Sequence, residues 1–143
     1  MKIQKIKTSE IDKSAKIFMQ AFNQEPLKEG WTIKKAKEHI QHEKKVGEVF
    51  VLIENEMEGV ATIRKNVGPK GNIAELKDLA ISKHNKSKGL GSKFLQELET
   101  KLSSKGFIQI FLETYSKSKA INFYRKNKYQ VSAQTKILTK KLR

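Results

Sequence analysis

The sequence predicts a single α/β domain, a mixed sheet with helices on both of its faces. Three observations carry that expectation. The 143 residues fall within the usual size of one domain. Apolar residues recur with helical spacing in some stretches and as short strand-like runs in others. One such helix stands between two such strands, and strands joined in this way run parallel.

The elements follow in order. Lys2 to Lys7 reads as a short strand, and Ser9 with Asp12 resembles a capping box before a helix striped by Ile11, Ala15, Phe18 and Phe22. Pro26 and Gly30 end that region. Thr32 can cap a second helix with Ile33, Ala36 and Ile40 on one face and lysines, His39 and His42 on the others, up to Gly47. Val49 to Ile53 and Gly59 to Arg64, separated by polar residues, form a hairpin. Ile73 to Ile81 is a third strand, and a basic, glycine-containing loop leads from it into a helix with Leu90, Phe94, Leu95, Leu98 and Leu102 on one side. Phe107 to Leu112 is apolar at almost every position, as a strand buried on both faces would be. A short helix over Ser118 to Asn127 and strands at Tyr129 to Ser132 and Lys136 to Thr139 complete the chain, which reads as one domain over 1–143 with no linker and no repeat.

Composition bounds the function. The absence of cysteine excludes disulfides and thiolate chemistry, and an intracellular setting fits best. No stretch has the roughly 20 apolar residues of a membrane span, so a soluble, cytoplasmic protein without a membrane partner is expected. Thirty basic against fifteen acidic residues give a net charge of +15, and after Glu113 there are nine Lys/Arg and no carboxylate. That field suits nucleic acid, an anionic surface or a polyphosphate cofactor, and charge alone does not choose among them. His39 and His42 lie three apart on a helix with no third ligand in view, so they are expected to be solvated and no metal is expected.

The chemically informative stretch is Ile81 to Ser92, where Gly89 and Gly91 sit at the join of a strand and a helix among three lysines. Free backbone N–H groups and the positive end of the helix dipole can hold a pyrophosphate there. Neither a dinucleotide fingerprint nor a G-x-x-x-x-G-K-[ST] loop is present, which argues against a nucleotide triphosphatase. Lys86, Ser87, Lys88, Gly89, Leu90 and Gly91 resemble the Q/R-x-x-G-x-G/A acyl-CoA signature of the GCN5-related N-acetyltransferases (GNAT), with Lys86 in place of Gln or Arg. About thirty residues on, Ala120 to Tyr129 resembles that family's A-x-x-F-Y-x-K-x-G-F signature, with Lys128 for the glycine and Tyr129 for the phenylalanine; Lys117 stands where many relatives have asparagine.

The resemblance covers nearly the whole chain. It implies a GNAT-like mixed, mostly antiparallel sheet with one parallel βαβ unit, and an acetyltransferase that moves the acetyl group of acetyl-CoA directly to a primary amine. It further implies cofactor contacts from Leu79, Ala80, Ile81, Lys86, Ser87, Lys88, Gly89, Leu90, Gly91, Ser92, Asn122 and Phe123. A backbone N–H near Leu79 would face the thioester oxygen, and Tyr124 would act on the leaving thiolate. Glu75, Asp78 and a relayed water are the alternatives for the base. Phe22 and Trp31 would border the acceptor site. The acceptor, and the choice between monomer and homodimer, are not specified. Two other classes compete: a basic nucleic-acid or ribosome-binding module, and an acetyl-CoA-sensing module without catalysis. In either module the fold would lack turnover, and nucleic-acid binding by charge alone would fall steeply with salt and show no specific sequence preference.

Overall fold

The computed structural model describes residues 1–85 and 88–143, with Asn85 described by its backbone alone. The order is β1 (Lys2–Lys5), a 3-10 turn (Thr8–Glu10), α1 (Ile11–Phe22), α2 (Ile33–Val46), β2 (Glu48–Ile53), β3 (Met57–Val67) and β4 (Asn72–Ile81). A second 3-10 turn (Lys83–Asn85), α3 (Leu90–Ser104), β5 (Phe107–Phe111) and α4 (Ala120–Lys126) follow. The five strands lie side by side in chain order. Neighbours are antiparallel from β1 to β4, and β5 runs parallel to β4. This is the fold class that the sequence predicts.

Each face of the sheet carries its own core. Ala15 and Phe18 of α1 and Ala36 and Ile40 of α2 pack with Val49, Val51, Val60 and Ala80 on one side. On the other side the predicted stripe of α3 meets Phe50, Leu52, Ala61, Ala74 and Leu76, with Phe123 and Tyr124 of α4 at its margin. Thr32 caps α2, its Oγ1 accepting from the Lys35 N–H at 3.2 Å. At α1 the expected Ser9 and Asp12 box is not used; the Glu10 carboxylate accepts from the Lys7 N–H at 2.8 Å instead. Ile33, placed on the apolar face of α2 by its spacing, is exposed in the helix's first turn.

A bulge in β4 shapes the rest. Thr62 faces Asp78 and Ile63 faces Leu76, so Lys77 is an extra residue with no partner on β3. Plain alternation would set Glu75 and Asp78 on opposite faces. The extra residue resets the phase. Ala74 and Leu76 before it, and Leu79 and Ile81 after it, pack on the α3 side, while Ala80 packs on the α1–α2 side. Glu75 and Asp78 therefore share the face beneath α1 and α2.

Two expectations fail. β5 is an edge strand rather than one buried on both faces, with Ile108 59% and Phe111 39% exposed. The final strands at Tyr129 to Ser132 and Lys136 to Thr139 do not form. A strand needs a neighbour for its backbone groups and a face to bury, and all of residues 130–143 are exposed without assigned structure.

Candidate active site

β4 and β5 part company in the middle of the sheet. Their pairing ends at Glu75 with Phe111, although β4 continues to Ile81. Beyond that point, among the described residues, only β3 accompanies β4. The Ser82 N–H donates to the Glu58 carbonyl at 2.7 Å, and in an antiparallel pair alternate residues bond to the neighbour. Asp78 and Ala80 thus turn their backbone groups to β3, and Leu79 and Ile81 turn theirs to the gap left by β5.

The start of α3 lies beside the end of this open half-strand. Gly89 occupies the N-cap with φ 77°, and nothing lies within 4 Å of where a Cβ would be. Its left-handed backbone favours glycine, and the space above it is open. Gly91 is different: a Cβ there would meet the Phe123 ring at 3.2 Å and the Ile81 side chain at 3.8 Å. Its missing side chain lets α4 close on α3. The Asn127 side-chain amide donates to Ser92 Oγ at 3.2 Å, and the Tyr129 hydroxyl to Glu99 at 2.8 Å, which fastens the same contact. Leu90 is buried, whereas Lys88 and Asn122 are exposed. Lys86 and Ser87 lie outside the described residues.

Tyr124 stacks edgewise between Phe123 and Tyr129, at centroid distances of 5.1 and 5.5 Å. Burial, and then the negative charge of Asp78, push its phenol well above the ordinary range. The hydroxyl has no hydrogen-bond partner among the described residues. No buried side-chain oxygen or nitrogen there lacks one, so this hydroxyl is not fully buried.

On the other face of the sheet the sequence reading missed a partner. His39 is not a solvated residue: its Nε2 lies 2.6 Å from Asp78 Oδ2, and its side chain is only 18% exposed. Thr62 Oγ1 donates to the same carboxylate oxygen, also at 2.6 Å. Phe18 stacks on the imidazole at 4.7 Å, and Trp31 lies 5.2 Å from it and 4.7 Å from Phe18. Phe22 touches Phe18 at 4.7 Å. The two residues expected at the acceptor site, Phe22 and Trp31, thus belong to one aromatic cluster that ends at His39 and Asp78. No local pattern announces the pair, because 39 residues separate its members. His42 is exposed and takes no part.

Glu75 sits in a different company. It faces Arg64 across the ladder. Arg64 donates from Nε and Nη2 to the buried Glu43 carboxylate at 3.0 and 2.6 Å. Hydrogen bonding to Glu43, with smaller contributions from the charges of Glu43, Glu75 and Asp78, holds the guanidinium above its ordinary range. Elsewhere Glu56, Glu58 and His84 bring donor atoms within 4.8 Å of one another, at a hollow also lined by Lys88 and Leu90. A second hollow, lined by Val46, Glu48, Lys65, Asn72 and Phe107, contains none of the expected site residues. No helix among the described residues is long and apolar enough to cross a membrane.

Comparison with known proteins gives this geometry a family. No curated protein matches the chain significantly by sequence. Among solved structures, one described as a "probable acetyltransferase" superposes with a TM-score of 0.81 at 12% identity, over 100% of this chain and 99% of that one. An aminoglycoside acetyltransferase from an uncultured soil metagenomic sample, in complex with sisomicin, gives 0.75 at 22% identity over 99% and 96%. Glucosamine-6-phosphate N-acetyltransferase from Arabidopsis thaliana gives 0.66 at 18% identity over 99% and 98%. The model of the acetyltransferase (GNAT) family matches residues 14–129, and the chain is a member of that family, a GNAT-type N-acetyltransferase.

Proposed function

We propose that the chain transfers the acetyl group of acetyl-CoA directly to a primary amine. The observation that carries this reading is the open half of β4, where Leu79 and Ile81 turn N–H and C=O groups to a gap that no strand of the described residues fills. An extended pantetheine arm can add there as a strand would, with the backbone of Leu79, Ala80 and Ile81 beside it. The Leu79 N–H is then a donor for the thioester oxygen as charge develops on it, the type of preorganised contact that contributes a factor of about a hundred or more.

At the far end, the first turn of α3 from Gly89 to Ser92 offers N–H groups to the pyrophosphate, with Lys88 nearby and Asn122 and Phe123 alongside; Lys86, three residues before Gly89 in the sequence, adds its charge to this basic stretch. The amine nitrogen attacks the acetyl carbon, a tetrahedral intermediate forms, and the carbon–sulfur bond breaks. Tyr124 donates a hydrogen bond to the departing thiolate. The nitrogen loses its proton toward the face that holds Glu75 and Asp78, and Phe22 and Trp31 border the acceptor.

Thiol release from acetyl-CoA, followed across polyamines, aminoglycosides including sisomicin, glucosamine 6-phosphate, and lysine and amino-terminal peptides, tests the reading. Acceptor-dependent release with formation of the acetylated amine is expected. Binding of acetyl-CoA without release to any amine would refute it.

A further inference from the structure

We infer that His39, held by Asp78, is the base that takes the proton from the acceptor amine; the inference rests on the transfer reaction proposed above. The argument begins with the tautomer. A ring nitrogen 2.6 Å from a carboxylate oxygen donates its hydrogen to that oxygen, so in the neutral imidazole the lone pair resides on the other nitrogen, Nδ1. Nδ1 has no partner among the described residues. Since no buried side-chain nitrogen or oxygen there is left unpaired, Nδ1 is not fully buried, and its lone pair is free to accept a proton.

The ring is also fixed in orientation. Phe18 stacks on it with planes 28° apart, Trp31 closes a second side, and Asp78 holds one edge. Asp78 is itself held by the Thr62 hydroxyl on the same oxygen. This is an orienting carboxylate, an imidazole with one free lone pair, and an aromatic wall, which together serve as a proton acceptor whose geometry is set before the amine arrives.

The competing carboxylates are less suited. Glu75 stands opposite Arg64 in the ladder and within the field of its guanidinium. Asp78 already accepts two hydrogen bonds on one oxygen, from Thr62 and from the His39 ring, whereas the Nδ1 lone pair of His39 is unengaged. Asp78 is a positioning residue in this scheme and His39 the catalytic one.

The step balances. The neutral amine's lone pair forms the carbon–nitrogen bond, and the nitrogen, now positive, passes one proton to Nδ1. The carbon–sulfur bond breaks with its electron pair on sulfur, and the thiolate takes a proton from water. His39 then returns its proton to solvent.

The test uses single-turnover acetyl transfer to the panel amine that the unaltered chain turns over fastest. His39→Ala should slow the chemical step by about a hundredfold or more while acetyl-CoA affinity, by calorimetry, stays within about twofold. Added imidazole should restore a measurable part of that rate, an effect that a packing role would not produce. His39→Gln keeps more bulk against Phe18 and should be as slow. Asp78→Asn should also be slow but should gain nothing from imidazole. A His39→Gln rate within about threefold of the unaltered chain would overturn the inference while leaving the transferase reading intact. A folded His39→Ala variant that imidazole does not rescue would do the same. Failure of the unaltered chain to acetylate any amine would overturn both.

Discussion

Replacing Tyr124 by Phe separates two roles that one hydroxyl can play. A phenol ordinarily titrates near 10 and an alkyl thiol near 8.5, so handing a proton to the thiolate is uphill by about 1.5 units, or about 2 kcal/mol. Burial and the charge of Asp78 raise the Tyr124 phenol further and widen that gap. In the proposed reaction the hydroxyl would therefore donate a hydrogen bond to the thiolate without surrendering its proton. A hydrogen bond to a charged group contributes about 1.5–3 kcal/mol, so Tyr124→Phe should slow single-turnover thiol release by about 10- to 150-fold. The hydroxyl makes no hydrogen bond among the described residues, and stability should change by less than about 0.5 kcal/mol. Because the phenol's proton is held above its ordinary range, the donor form persists up to pH 10, and the rate should show no loss assignable to Tyr124 between pH 7 and 10. A Tyr124→Phe rate within about threefold of the parent, with chemistry limiting, would refute the role. A falling limb near pH 9 that vanishes in the variant would refute the hydrogen-bond account in favour of proton transfer.

Other outcomes follow from the same geometry. Gly89→Val meets open space but a left-handed backbone that costs an L-residue about 1–2 kcal/mol; calorimetric titration of the folded variant should show acetyl-CoA affinity reduced by about tenfold or more, and undiminished affinity would make the loop a mere turn. Arg64→Met leaves the buried Glu43 without its two hydrogen bonds. Removing one partner of a buried pair costs about 3–5 kcal/mol, and the partial exposure of Arg64 reduces this to about 2–3, readable as a fall in the urea midpoint that adding Glu43→Leu should largely reverse. Burial and the Asp78 charge raise the Tyr124 phenol, and burial and the hydrogen bond to Glu99 raise that of Tyr129. The unfolded phenols ionise near pH 10 while the folded ones stay protonated. Their stabilisation is thus complete below about pH 10 and is lost as the pH rises above it, at no more than about 1.4 kcal/mol per pH unit for Tyr124. Urea midpoints at pH 9, 10 and 11 should fall less steeply in Tyr124→Phe, and an unchanged slope would show that the phenol is not protected.

Much of the fold could be read from periodicity. Leu90, Phe94, Leu95, Leu98 and Leu102 all lie buried in α3, as their spacing requires. The hairpin of β2 and β3 and the parallel pair around α3 also follow from local patterns. The misreadings share one physical cause: periodicity reports what a segment could bury, and its surroundings decide whether it does. β5 is apolar at almost every position but has no strand beyond it among the described residues, and residues 130–143 contain strand-like runs with no strand there to pair with. At the site, Asp78, Phe22 and Trp31 were legible as candidates through the family resemblance. His39 was not, because its identity as a partner depends on α2 packing on the face of the sheet to which Asp78 points. The reason for Gly91 was likewise hidden, since only the packed helices reveal the Phe123 ring beside it.

The bulge at Lys77 divides β4 into two lengths with separate duties. Up to Leu76 the strand is a beam in the interior of the sheet; from Asp78 onward it is a bracket fastened along one edge. Because Lys77 is supernumerary to the ladder, removing it would leave Leu76 under α3 and Asp78 under α2, with both cores in phase. A single-codon deletion there, ruinous in most central strands, would be silent to the hydrophobic pattern. Because a bulge bends its strand, the effect would fall on the course of β4 beyond Leu76, and with it on the gap beside Leu79 and Ile81. In the proposed reaction that gap receives the acyl donor, and the one extra residue becomes a means of retuning its width without redesigning the interior.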